Sequence, residues 1–189
     1  MIHGNNLWQE FQRTFLENVQ ALGPDQLAHW RTARGRTRVY RDNVLPRVAE
    51  GLRLELPRGY GRGFLTVDCT FKVREGADRG SPQVFIEYEN RAQSAMVEVE
   101  KLCYLRAPLK ILITFCRWPD KDLRKKWVDC VAGSWKWLPE FSGIVYGFVI
   151  ADIMCERQGG RKRLCFHFFG VSADGVLMGN ERTEFIGDL

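Results

Sequence analysis

Residues 66–89, TVDCTFKVREGADRGSPQVFIEYE, decide the fold. They read as two strands joined by a polar loop. Phe64 to Lys72 alternates, with Leu65, Val67, Cys69 and Phe71 on one face and Thr66, Asp68, Thr70 and Lys72 on the other. In the second strand Val84, Ile86 and Tyr88 share one face, and Phe85, Glu87 and Glu89 share the opposite one. If the strands pair as a hairpin, their apolar faces pack on one side and Asp68, Glu87 and Glu89 gather on the other. A loop centred between Ala77 and Asp78 sets Asp68 opposite Glu87, with Cβ atoms about 5 Å apart and Glu89 a little further along.

Three carboxylates on adjacent strands repel one another, and left bare at least one has a raised pKa. A divalent cation removes the conflict, and hard oxygen ligands suit Mg²⁺, Mn²⁺ or Ca²⁺. The competing reading is a solvated sheet face whose acids pair with Lys72 and Arg91.

Outward from the hairpin, the chain alternates helical and extended patterns. Asn5 to Leu22 has an apolar stripe of Leu7, Trp8, Phe11, Phe15, Val19 and Leu22, and Gly23-Pro24 ends it. A short helix is expected from Pro24 through Trp30, and another from near Tyr40 to about Gly51, started or kinked by Pro46. Leu52 to Leu56 reads as a short strand. Arg91 to about Leu105 reads as a helix with a seam of Ala92, Ala95, Met96, Val99, Leu102 and Cys103. On that wheel Lys101 points away from the seam, toward solvent. Lys110 to Cys116 is a buried strand of the parallel-crossover kind. A helix follows Asp120, and two strands, Ile144 to Ile153 and Arg163 to Val171, precede a hairpin turn at Asp174-Gly175 with edge pairing beyond it. The expectation is one α/β domain over 1–189, with a mixed central sheet flanked by helices.

The 189 residues carry a net charge of +5 that is unevenly spread. Residues 31–62 hold nine Arg against three acids, 63–100 hold four basic residues against seven acids, and 101–140 hold nine basic against four acidic. An acidic island between basic zones suits a metal site flanked by phosphate-holding surfaces. No apolar run reaches 18 residues, so no membrane span is expected. The N-terminus lacks a signal-peptide pattern, and a cytoplasmic location is expected. Six cysteines never fall closer than ten residues apart, so no CxxC zinc or redox site is expected, and most read as reduced core residues. There is no P-loop and no GxSxG elbow, and His3, His29 and His167 are scattered. His167 reads as a packed or edge residue. Metal-assisted hydrolysis is the chemistry with a clustered site.

Asp68 in LTVDCTF, followed by Glu87 and Glu89 in VFIEYEN and then a helix, resembles the metal site of the PD-(D/E)XK nuclease superfamily. Its core runs helix, three strands, helix, strand, and Leu45 to Cys116 can be read in that order, within a restriction endonuclease-like αβββαβ core at about 40–117. Two departures stand out. Val67 occupies the loosely kept Pro position, and Glu89 stands where most members have Lys, as it does in some restriction enzymes. The resemblance implies a metal-dependent nuclease hydrolysing DNA phosphodiesters with Mg²⁺ or Mn²⁺. Asp68 and Glu87 would be ligands, the Tyr88 carbonyl a backbone ligand, and Glu89 the group acting on the attacking water. Some members move the catalytic Lys to the following helix, which brings Lys101 into question. Glu50, near the end of the helix before the core strands, is the best local candidate for an extra ligand.

Nucleic acid, DNA first, is the expected partner, and a homodimer is left open. The expected phosphate contacts are Arg34, Arg36, Arg38 and Arg41, then Arg58 and Arg62 in PRGYGRG, then Lys125 and Lys126 in DKDLRKKW. Two alternatives stand beside the nuclease. One is a nucleic-acid-binding or assembly module of the same fold without catalysis, which the missing Lys favours. The other is a protein-interaction domain using the Trp-rich 118–137 segment.

Overall fold

A computed structural model describes residues 4–57, 67–116, 118, 121–135, 143–155, 162–179 and 181–188. Its centre is a seven-stranded sheet whose spatial order follows the sequence. The strands are β1 (Leu54–Glu55), β2 (Cys69–Val73), β3 (Pro82–Glu89), β4 (Leu109–Cys116), β5 (Val145–Cys155), β6 (Lys162–Ser172) and β7 (Arg182–Asp188). β3, β4 and β5 are mutually parallel, and the remaining neighbours are antiparallel. The mixed α/β architecture expected from the alternation of patterns is the one observed.

The two crossovers between parallel strands carry helices α5 (Ala95–Cys103) and α6 (Lys121–Trp135). Both lie on one face, as crossovers of one hand stepping in one direction along a sheet must. Their buried residues Ala95, Val99, Leu102, Val128 and Val131 pack on Phe85, Leu112, Phe148 and Ile150. The other face is covered by the N-terminal helices α1 (Gly4–Gln20), α2 (Pro24–Ala28), α3 (Ala33–Val39) and α4 (Leu45–Gly51). Phe15 of α1 meets Phe166 and Phe168 of β6 edge-on in that core, and Phe11 stacks on Phe15. Trp8 lies over β5 and β6, where a Cβ on Gly147 or Gly170 would come within 2.4 or 2.6 Å of its indole. Those two residues pair across the strands, so their missing side chains form the slot that seats the ring.

The structure changes several boundaries. Helix resumes at Ala33 rather than near Tyr40, because Thr32 caps it by accepting a hydrogen bond from Gly35 N–H at 3.0 Å. Gly35 lies within this helix, and a Cβ there would meet the His29 carbonyl at 2.1 Å. Between α3 and α4 a π turn spans Tyr40–Val44 and ends two residues before Pro46, whose nitrogen cannot continue the α ladder. The regular part of the first hairpin strand starts at Cys69. Val67, ahead of it, packs against the α5–α6 core instead of sharing a face with Cys69 and Phe71. Phe64 to Thr66 lie outside the described residues. Among the described residues no helix is long and apolar enough to cross a membrane.

Candidate active site

β2 and β3 pair with Cys69 opposite Ile86 and Thr70 opposite Phe85. One step further, Asp68 meets Glu87, and two crossed hydrogen bonds tie Asp68 to Glu87 and to its neighbour Tyr88. Asp68 N–H donates to Glu87 Oε2 at 3.3 Å, and Tyr88 N–H donates to Asp68 Oδ2 at 3.0 Å. The N–H and C=O of a strand residue emerge on the same edge, so the Tyr88 carbonyl is turned toward Asp68. Glu87 alternates with Phe85 and therefore faces α5.

Lys101 closes the group from above. Its Nζ lies 3.1 Å from Glu87 Oε1 and also pairs with Glu98 Oε2, one turn earlier on α5. The Glu87 side chain is 1% exposed and that of Lys101 34%, so the carboxylate is shielded while the ammonium opens to solvent. Burial, followed by the hydrogen bond and negative charge of Asp68, pushes Glu87 up to about 9, against the pull of Lys101. Burial works against the Lys101 ammonium, but its bonds to Glu98 and Glu87 outweigh that, and its pKa is raised.

The wheel that sent Lys101 to solvent assumed α-helix from Arg91 onward. The first turn, Ala92–Ser94, is instead a 3₁₀ turn with three residues per turn. In α5 proper the fully buried positions are Ala95, Val99 and Leu102, with Met96 and Cys103 only partly covered. The buried stripe is narrower and rotated, and the long Lys101 stem reaches around its flank. The i,i+3 spacing of Glu98 and Lys101 was the available signal.

The other expected site residues are spread out. Glu89 Oε1 accepts the Arg91 N–H at 2.9 Å, so its carboxylate is engaged by the turn into the helix. Glu50 is exposed and lines a groove with Arg41, Pro46, Glu55 and Arg74, apart from the Asp68–Glu87 pair. Arg36 must be reassigned. It is buried, its Nε donates to Asn90 Oδ1 at 2.9 Å, its Nη1 donates to the Trp30 carbonyl at 3.0 Å, and its guanidinium lies 3.7 Å above the Phe115 ring. A guanidinium so enclosed holds α3 against the ends of β3 and β4, and it cannot reach a phosphate. Asn90 adds a bond to Thr37 at 3.1 Å. Arg34, Arg38 and Arg41 are exposed on the same segment, with Arg38 and Arg41 paired to Asp42. Lys125 and Lys126 are exposed on α6, whereas Arg124 beside them is buried against Glu181 at 2.6 Å. Arg58 and Arg62 lie outside the described residues. Trp118 and Trp127 contact each other with ring centroids 5.5 Å apart, and Trp127 Nε1 donates to the Ala92 carbonyl at 3.0 Å. Trp127 therefore ties α6 to the start of the α5 segment. Trp137 lies outside the described residues.

A scan of the sequence against protein-family models gives no match, and a search of curated proteins gives none.

Proposed function

We propose that the chain is a metal-dependent nuclease that hydrolyses DNA phosphodiesters at Asp68, Glu87 and Lys101. The observation that carries this reading is the approach of Lys101 to Glu87, across from Asp68 on the adjacent strand. Two carboxylates and an ammonium from three separate elements make a site able to hold a cation and a phosphate side by side. The order helix, three strands, helix, strand surrounding it agrees with the resemblance to PD-(D/E)XK nucleases.

The donors fit a hard divalent ion: Asp68 and Glu87 offer carboxylate oxygens and Tyr88 a carbonyl, with no soft ligand among them. Mg²⁺ or Mn²⁺ held there would supply Lewis-acid stabilisation of charge growing on the phosphate oxygens. Lys101 takes the part left open by Glu89 at the usual Lys position. It donates to a non-bridging phosphate oxygen and orients the attacking water. That water gives up a proton to bulk solvent as its oxygen bonds to phosphorus, the ester P–O bond breaks, and the departing oxygen takes up a proton from solvent water. Glu98 holds the Lys101 ammonium protonated until substrate arrives. Glu89, fixed on Arg91 N–H, shapes the turn that brings α5 over the site. Arg34, Arg38, Arg41, Lys125 and Lys126 supply exposed charge for the DNA backbone. The location that accompanies this reading is the cytoplasm.

A second reading has one observation in its favour. Lys101 already pairs with both Glu87 and Glu98, and a resident ammonium can stand where a metal would. That is the arrangement of a binding or assembly module that has lost catalysis. Supercoiled plasmid incubated with Mg²⁺, Mn²⁺ or EDTA separates the two. The nuclease reading expects nicked or linear DNA only with metal, and the module expects intact plasmid that is retarded in a gel at low salt.

A further inference from the structure

A second polar cluster lies beneath α6, on strands that the proposed nuclease site does not use. Antiparallel pairing of β5 and β6 sets Asp152 opposite Cys165, and His167 follows two residues on, with its side chain on the same face. All three residues are buried, at 3%, 0% and 2% exposure. One potential ligand atom from each lies within 4.8 Å of the other two.

We propose that Asp152, Cys165 and His167 form a zinc site, with Glu181 as the carboxylate that orients the histidine. Tetrahedral zinc with Zn–S of about 2.3 Å and Zn–N or Zn–O of about 2.1 Å has ligand-to-ligand edges of about 3.6 Å for S···N and about 3.4 Å for N···O. Here Cys165 Sγ lies 3.5 Å from His167 Nε2, and His167 Nε2 lies 4.0 Å from Asp152 Oδ2. A small turn of the carboxylate closes the second edge.

The histidine is already set for this role. Its Nδ1 lies 2.9 Å from Glu181 Oε1 and 2.8 Å from Thr183 Oγ1. The Thr183 hydroxyl donates to Glu181 at 3.2 Å, so both oxygens are acceptors for an Nδ1 proton. That fixes the neutral tautomer with the Nε2 lone pair aimed at Cys165 and Asp152, the carboxylate–histidine arrangement of metal centres. Arg124 of α6 in turn holds Glu181 at 2.6 Å. The thiol has one proton for two acceptors, the Asp152 carbonyl at 3.6 Å and His167 Nε2 at 3.5 Å. Zinc binding removes the conflict, because Cys165 releases that proton and ligates as thiolate. The Cys, His and Asp donor set favours zinc over the hard ions suited to Asp68 and Glu87. With three protein donors, water completes the tetrahedron.

The test uses full-length protein, freed of any histidine tag and purified without chelators. Elemental analysis should find about one zinc per chain, as a single tetrahedral site requires. Removing it with dipicolinate should lower the melting temperature. Adding Co²⁺ should restore it and produce a near-ultraviolet thiolate-to-cobalt charge-transfer band. Cys165→Ser and His167→Gln should each lose the metal, whereas Asp68→Asn should retain it. If either ligand variant fails to fold, the wild-type cobalt spectrum decides alone. No retained zinc together with a cobalt spectrum lacking the thiolate band would overturn the proposal, leaving a buried hydrogen-bonded network. Zinc that persists in Cys165→Ser and leaves in Asp68→Asn would also overturn it, by placing the metal at the other site.

Discussion

Lys101 Nζ donates to Glu87 Oε1 at 3.1 Å, a hydrogen bond between the helix over the sheet and a strand residue fourteen positions earlier. Glu87 is therefore stabilised as a carboxylate from one side while burial and Asp68 press it toward the protonated form. The net effect is a raised pKa, and it makes folding stability depend on pH.

In metal-free protein the sign follows from linkage. Below its ordinary value of 4.5, Glu87 is protonated whether the chain is folded or not; between 4.5 and about 9 the unfolded chain releases the proton while the folded one keeps it. The stabilisation present at low pH is thus lost progressively as pH rises across that window. Glu87→Gln should flatten this slope and melt higher than wild type at pH 8 in EDTA. Identical melting curves for the two proteins from pH 5 to 9 would show that Glu87 carries no such strain.

The arginine segment should divide into two kinds of residue. Replacing exposed Arg34, Arg38 and Arg41 together should weaken DNA binding and flatten its salt dependence by up to about three units of slope, near 0.9 per phosphate contact. Arg36→Ala should instead destabilise the fold by about 2–4 kcal/mol, because the Trp30 carbonyl and Asn90 lose a charged donor and Phe115 its cationic cover. Equilibrium denaturation and binding at several salt concentrations separate the two effects. A stable Arg36→Ala protein with weakened DNA binding would return that residue to the surface.

Gly147→Ala should cost about 1–3 kcal/mol, the usual penalty for overpacking a core. The added methyl would enter the Trp8 ring, which lies 2.4 Å from the Cβ position. Chemical denaturation checks this, and Trp8→Leu in the same background should recover part of the loss. A neutral Gly147→Ala would show that Trp8 is not seated between these strands.

How much of this was legible varies from residue to residue. Counting outward from the loop centre set Asp68 against Glu87, and the bond from Asp68 N–H to Glu87 Oε2 joins that pair. The ladder reaches it through a register shift between Phe71 and Lys72, which the count did not contain. Alternation also put Glu89 on the Glu87 face, but alternation does not fix where a long side chain ends, and Arg91 N–H takes it. Lys101 was misread because a 3₁₀ turn changes the phase of a helical wheel and because a lysine stem can bend around a flank. Arg36 looks like its neighbours in a list of arginines; only the packing of α3 on β3 and β4 separates it from them. Asp152, Cys165 and His167 show no metal-binding spacing along the chain, since their proximity depends on the β5–β6 register.

The most direct measurement is single-turnover cleavage of plasmid DNA with Mg²⁺ or Mn²⁺ by wild type, Asp68→Asn and Lys101→Met, with DNA affinity measured alongside. Metal-dependent cleavage by wild type is expected, with a rate about 10²–10⁴-fold lower for Lys101→Met, as for loss of a group acting on the proton or the developing charge. Asp68→Asn should be inactive, and both variants should bind DNA nearly as tightly as wild type. Cleavage that is indifferent to both substitutions, or a wild type that binds DNA and leaves it intact with every metal, would contradict the assignment of phosphodiester hydrolysis to this site.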